Sequence, residues 1–199
     1  ELNDCKRCQN ELIYNMRTIH MVEQLKGRGN MENKPWLQHY PDTIPETIEF
    51  EEKSLQQFLV ETAKKYPTKV ALHFNGKEMT YQEVCESALK FANYLKSIGI
   101  QKGDRVAIML PNTPQSFISF FGVLFAGGII VQTNPMYTER EVAYQMKDSG
   151  AKAIIALDIL YPRITKVQNE TDLEHIIITA IKDYLPFPKN LIYPFIQKK

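Results

Sequence analysis

Residues 105–132 read RVAIMLPNTPQSFISFFGVLFAGGIIVQ. After Arg105, the run to Leu110 is short and wholly apolar, the pattern of a strand buried on both faces. Pro111 to Pro114 make a turn, and Pro114 suits the first position of a helix, where its missing N–H costs nothing. The segment to Ala126 is apolar nearly all round, which predicts a helix buried between layers. Gly127 and Gly128 end it as a cap, and Ile129–Gln132 is apolar and β-branched enough for a second strand. A strand, a crossover helix and a second strand form the unit from which parallel sheets are built.

The same alternation extends both ways. Downstream, Thr138-Glu-Arg-Glu141 is a capping box, opening a helix through Val142, Ala143 and Met146 to Gly150. Lys152–Leu157 reads as a strand, Ile159–Val167 as a helix and His175–Thr179 as the last strand. Upstream, Ser54-Leu-Gln-Gln57 is a capping box for a helix carrying Leu55, Phe58, Leu59, Thr62 and Tyr66, stopped by Pro67. Val70–Phe74 and Lys77–Thr80 flank Asn75-Gly76, a strong hairpin signal. Thr80-Tyr-Gln-Glu83 caps a third helix, with Val84, Cys85, Ala88, Ala92 and Leu95 on one face and Gly99 as its stop. Cys85 on that stripe reads as core, not as a nucleophile. The predicted fold class is therefore α/β: a mostly parallel sheet with helices on both faces, plus a β-hairpin.

The predicted organisation has four parts. Residues 54–181 are the α/β subdomain, and 182–199 form a Pro/aromatic segment leading out of it. Residues 31–53 are an extended lead-in, where Pro35, Pro41 and Pro45 block long helices and Trp36, Leu37, Tyr40 and Ile44 offer anchors. Residues 1–30 show no clean period and end in Lys-Gly-Arg-Gly-Asn before Met31. Those five residues can be written in purine-rich codons, like a ribosome-binding stretch, so 1–30 reads either as leader with Met31 the natural start or as a flexible arm.

Composition narrows the class. Twenty-four basic and 23 acidic side chains leave a formal net charge of +1, which gives no electrostatic reason to expect nucleic acid. Three cysteines cannot all pair, and their scarcity fits a reducing cytoplasm. Cys5 and Cys8 have the spacing of half a zinc site, but the other half is missing, so no metal is assigned. The longest apolar stretch, Phe117 to Val131, falls short of a bilayer span, and no secretory signal precedes it.

An open parallel sheet binds ligands beyond the carboxyl ends of its strands, here Leu110–Thr113, Val131–Tyr137, Leu157–Leu160 and Thr179 onward. None carries a G-x-G-x-x-G or G-x-x-x-x-G-K-[ST] phosphate loop. His20, His39, His73 and His175 are scattered without a metal-binding pair. The residues alone leave open an interaction module and a small nucleotide-binding protein of flavodoxin type.

Met79-Thr80-Tyr81-Gln82-Glu83 resembles the first core motif of adenylate-forming enzymes. Gly103-Asp104-Arg105 through Leu110-Pro111-Asn112 resembles the strand and turn that follow it, and Phe121 to Gly128 the second core motif. Val131-Gln-Thr-Asn-Pro-Met-Tyr-Thr-Glu-Arg-Glu141 is the most specific stretch and resembles long-chain fatty-acid–CoA ligases of the bacillus type. Lys34-Pro-Trp-Leu37 and Leu185-Pro-Phe-Pro-Lys189 fit the same family, so the resemblance covers roughly residues 32–199.

The resemblance implies an enzyme that activates a fatty acid with ATP and Mg2+ to an acyl-adenylate and then transfers the acyl group to coenzyme A. It also implies that the catalytic motifs lie beyond Lys199, so no catalytic residue is assigned and the chain alone is expected to be inactive. Gln132, Thr133, Asn134 and Pro135 are implied to approach the coenzyme A channel; the plainer reading is a Pro-stiffened turn leading to the Thr138 cap. Phe117 and Phe121 either border the acyl tunnel or are ordinary core. Tyr184, Phe187, Tyr193, Phe195, Lys198 and Lys199 suit a membrane interface or burial against further parts of the enzyme. Another adenylate-forming activity remains the alternative within enzymes, and exposed apolar surface would favour a homodimer.

Overall fold

A computed structural model describes residues 34–197. Met31 and the Cys5/Cys8 pair, on which two sequence readings fall, lie outside the described residues. The chain divides into two compact units between Glu51 and Glu52. Within the first, the lead-in is not extended throughout: Pro35–His39 form a 3-10 turn, with Pro35 at its first position.

The second unit carries the predicted alternation. Helix α1 spans Leu55–Lys65, strand β1 Val70–Phe74, β2 Lys77–Thr80, α2 Tyr81–Ser97, β3 Arg105–Met109 and α3 Pro114–Ala126. Strand β4 spans Ile129–Gln132, α4 Glu139–Ser149, β5 Ala153–Leu157, α5 Tyr161–Gln168, β6 His175–Thr179 and α6 Lys189–Gln197. A 3-10 turn at Asp158–Leu160 precedes α5, because Pro162 in the first turn sets where the helix can begin.

The helix starts follow from their caps. Thr80 accepts from the Glu83 N–H at 3.2 Å, and Glu83 Oε2 accepts from the Thr80 N–H at 2.8 Å. Thr138 and Glu141 repeat this at 3.4 and 2.8 Å, and the Ser54 N–H donates to Gln57 Oε1 at 2.8 Å. Thr80 and Thr138 hold their glutamates below the usual carboxylate range, first through backbone N–H donors and then through their hydroxyls. Asn75 (φ 52°) and Gly76 (φ 97°) both take the left-handed conformation that a tight hairpin turn requires.

Two sheets result. β1 and β2 form the antiparallel hairpin, and the other four strands form a parallel sheet in the order β4-β3-β5-β6. The chain runs from β3 outward to β4, then crosses β3 to β5 and continues to β6. Right-handed crossovers put α3 on one face of the sheet and α4 and α5 on the other. In agreement, α3 packs against α1 and α2, whereas α4 packs against α5. Val106 to Met109 and Ala153 to Leu157 are almost completely buried, as strands covered on both faces must be. A second apolar cluster, comprising Leu59, Met79, Val84, Cys85, Ala88 and Ile118, joins the hairpin to α1, α2 and α3. Cys85 is buried there, as its place on the apolar stripe predicts.

The expectation for α3 needs correction. Its inner face is buried, but Phe117 is 51% exposed, because α3 is covered by α2 and α1 on one side and opens to a cleft near its amino end. Helices α2 and α3 approach closely at Gly122, where an added Cβ would meet Phe91 Cδ1 at 2.6 Å and the Ala88 carbonyl oxygen at 3.2 Å.

At the amino ends of the strands, Asp104 accepts from Lys152 Nζ at 2.9 Å and from the Gln101 N–H at 2.8 Å. Arg105 Nε and Nη2 donate to the Ser149 and Gly150 carbonyls at 2.9 and 2.8 Å, closing the carboxyl end of α4 onto β3. The Lys152 ammonium, then the Gln101 N–H, hold the Asp104 carboxyl below its usual range.

Gly122→Val should destabilise the unit by about 1–3 kcal/mol in urea unfolding, because Ala88 offers backbone and cannot yield. Glu83, Glu141 and Asp104 have lowered carboxylate pKa values when folded, so their contribution is complete above the unfolded-state range. It is lost as pH falls through the folded values. Urea midpoints should therefore drop on acidification below about pH 5. Asp104→Asn should lower the neutral midpoint and flatten that dependence.

Candidate functional site

The order β4-β3-β5-β6 reverses direction between β3 and β5, and the crevice beyond their carboxyl ends is where an open parallel sheet places a ligand. The loop leaving β3, Leu110 to Thr113, feeds α3 directly. Gln115 in its first turn is 5% exposed and donates from Nε2 to the Ala180 carbonyl at 2.9 Å, tying α3 to the exit of β6. Its Oε1 is buried and has no hydrogen-bond partner among the described residues.

Beside this turn lies a cleft of about 440 Å³. One wall is the hairpin, through Leu72, His73 and Phe74; another is α3, through Phe117, Phe120 and Phe121. Asn112, Thr113, Ser116 and Gln132 supply polar atoms along the strand ends. Phe121 packs edge-on against Phe120 at 5.3 Å between centroids and lies 6.0 Å from Phe117, so the aromatic wall is internally braced.

Among the described residues no lysine or arginine lines the cleft. It fits an apolar group with a few polar contacts and does not fit a triphosphate, whose charge would call for cationic side chains. Among the described residues no cluster of three or more His, Cys, Asp or Glu could hold a metal ion. Nor is any helix among the described residues long and apolar enough to cross a membrane.

The cleft brings together Phe117, Phe121 and Gln132, which the sequence assigned to two separate subsites. Gln132 also accepts at its carbonyl from Gln145 Nε2 at 2.9 Å, anchoring α4 to the end of β4. Thr133, Asn134 and Pro135 are not lining residues. Thr133 is 4% exposed, donates its N–H to the Ile108 carbonyl at 3.0 Å and continues the ladder past β4. Asn134 Oδ1 accepts from the Met136 N–H at 2.9 Å, a local turn, and Met136 is left 83% exposed. Arg163 Nη1 donates to the Pro135 and Tyr137 carbonyls at 3.1 and 2.6 Å and holds the turn onto α5.

Sequence reading missed the hairpin wall, Leu72 to Phe74, and the clamp from Arg163. The hairpin itself was legible from Asn75-Gly76; its seat against α3 is a long-range contact that no local signal announces.

A family model described as AMP-binding enzyme matches residues 59–198. The long-chain-fatty-acid–CoA ligase of Bacillus subtilis (strain 168) is 51% identical over 166 residues, covering 83% of this chain and 30% of the relative. The enzyme of the same name from Salmonella typhimurium is 38% identical over 167 residues, with the same coverage. Among solved structures, an anthranilate CoA ligase in complex with anthranoyl-AMP superposes with a TM-score of 0.61 at 28% identity, covering 70% of this chain and 27% of that one. The chain thus spans about 30% of the length of the curated relatives it matches.

Arg163→Ala should remove two charge-assisted bonds from the 135–137 turn, costing about 1–2 kcal/mol. Amide exchange should rise at Asn134–Thr138 and stay unchanged in β3, as mass spectrometry of deuterated peptides would report.

Proposed function

We propose, from the premise that this chain belongs to the AMP-binding enzyme family, that it is the amino-terminal scaffold of a long-chain fatty-acid–CoA ligase. The identity shared with the Bacillus enzyme across most of the chain carries this reading. The reaction converts fatty acid, ATP and coenzyme A to acyl-CoA, AMP and pyrophosphate. A carboxylate is a poor electrophile, so one of its oxygens first attacks the α-phosphorus of ATP and expels pyrophosphate. The thiol then attacks the acyl carbon of the adenylate, the thioester forms, and AMP leaves. Charge developing on phosphate has to be stabilised, with Mg2+ as the metal of this reading.

The cleft supports a share in substrate binding rather than in that chemistry. Its aromatic wall at Phe117 and Phe121 suits the acyl side, and its uncharged lining suits a chain with no formal charge. Gln132, Thr133, Asn134 and Pro135 at the exit of β4 are assigned to the coenzyme A side; Gln132 is the one that reaches the cleft. Residues 31–53 serve as lead-in, 54–181 as the α/β subdomain and 182–199 as the segment joining it to the rest of the enzyme. We assign the protein to the cytoplasm. Exposed Phe187, Leu191 and Ile192 support peripheral contact with the inner membrane face or with a second copy of the chain.

The aryl ligase among the structural neighbours favours one second reading, an aromatic acid as substrate. A cleft walled by four phenylalanines suits either class.

With ATP, Mg2+ and palmitate, the chain alone should release no pyrophosphate above background. Protein spanning the relatives' full length should release it and, with coenzyme A, yield palmitoyl-CoA. Turnover of benzoate but not palmitate would favour the second reading; turnover by the chain alone would refute its role as scaffold only.

A further inference from the structure

An isolated two-stranded hairpin is marginally stable in water, so β1–β2 must be held by its surroundings. Its base is secured: Met79 is buried in the cluster shared with α2, and the Tyr81 N–H donates to the Lys69 carbonyl at 3.0 Å. Its tip lies at the far end, next to Phe74, and belongs to no other sheet. The segment that follows β6 grips this tip. Lys189 Nζ donates to the Asn75 carbonyl at 2.9 Å across 114 residues of sequence. Lys77 Nζ lies 4.9 Å from the Tyr184 ring centroid. Tyr184 itself packs against the apolar cluster beneath the hairpin, and its burial, then the Asp183 carboxylate, push its phenol pKa up.

We propose that Tyr184 and Lys189 form a latch that positions the hairpin wall of the cleft, so that ligand affinity depends on residues that do not touch the ligand. The walls at α3 and β4 are built into the parallel sheet and its packing; the hairpin wall belongs to a separate sheet. The Leu72–Phe74 wall is therefore the one not hydrogen-bonded into the parallel sheet: Ala71 and Leu72 seat its base on the apolar cluster, and the latch holds its tip. Neither Lys189 nor Lys77 lines the cleft, so both act through the hairpin as positioning residues. The proposal rests on the acyl reading of the cleft only in its choice of probe.

The test titrates the full chain with cis-parinaric acid, a fluorescent fatty acid, and follows amide exchange at residues 70–80. Lys77→Met removes the cation–π contact and leaves the Tyr184 ring in place; Lys189→Ala removes the hydrogen bond. The double variant should bind the probe about two- to five-fold more weakly, the scale expected for losing one exposed charged contact and one cation–π pair. Exchange should quicken at Asn75–Lys77 and stay unchanged in β3. Lys189→Arg, which keeps a donor, should restore both readouts. Equal affinity and equal exchange in wild type and double variant would overturn the latch. If wild type fails to bind the probe, the acyl reading falls, and the latch stands or falls on hairpin exchange alone.

Discussion

Parallel pairing of β3 with β4 on one side and β5 on the other is the constraint on which everything else rests. Parallel neighbours cannot be joined by a tight turn, so each step between them needs a helix on one face. Because the chain first moves outward to β4 and then returns across β3 to β5, the right-handed rule sends α3 to one face and α4 and α5 to the other. Helices on both faces bury both sides of β3 and β5, which is why Val106–Met109 and Ala153–Leu157 are apolar without alternation. The same reversal opens the crevice at the carboxyl ends of β3 and β5. The cleft itself lies to one side of that crevice, lined from the exits of β3 and β4, from α3 and from the hairpin.

The two ends of the sheet are made differently. At the amino ends, Asp104, Lys152 and Arg105 join β3, β5 and the last turn of α4 through charge-assisted bonds. At the carboxyl ends neutral amides add ties of their own, Gln115 to the Ala180 carbonyl and Gln145 to the Gln132 carbonyl, beside the charged Arg163 and Asp183, and phenylalanines line the cleft. The charges at the carboxyl ends sit on turns outside the cleft, whose lining among the described residues holds no Lys, Arg, Asp or Glu. An uncharged ligand chain can then be buried there without desolvating a salt bridge.

The hairpin is the second architectural decision. Its strands add no area to the parallel sheet, yet β1 supplies a wall of the cleft and Met79 of β2 anchors the apolar cluster under α2 and α3. The segment after β6 returns to meet it, so the last described part of the chain touches one of the first. Such closure gives a local element a tertiary role.

Every helix start with a Ser or Thr box, the Asn75-Gly76 turn and the glycine stops at Gly99, Gly127 and Gly150 were legible from sequence. Each is decided by hydrogen bonds or dihedral limits within a few residues. Both faces of the sheet were equally legible, because burial on two sides erases alternation. The exposure of Phe117 was not, since an all-apolar helix looks the same whether its last face meets a layer or a cleft. Nor could local pattern separate Gln132, which reaches the cleft, from Thr133, which is spent on the ladder, because consecutive residues leave a strand on opposite sides. Residue chemistry by itself determined the elements, their order and the family they resemble. Only tertiary structure decided which side chains share a cavity, because seating a hairpin on α3 joins residues far apart in sequence through contacts that no short-range rule encodes.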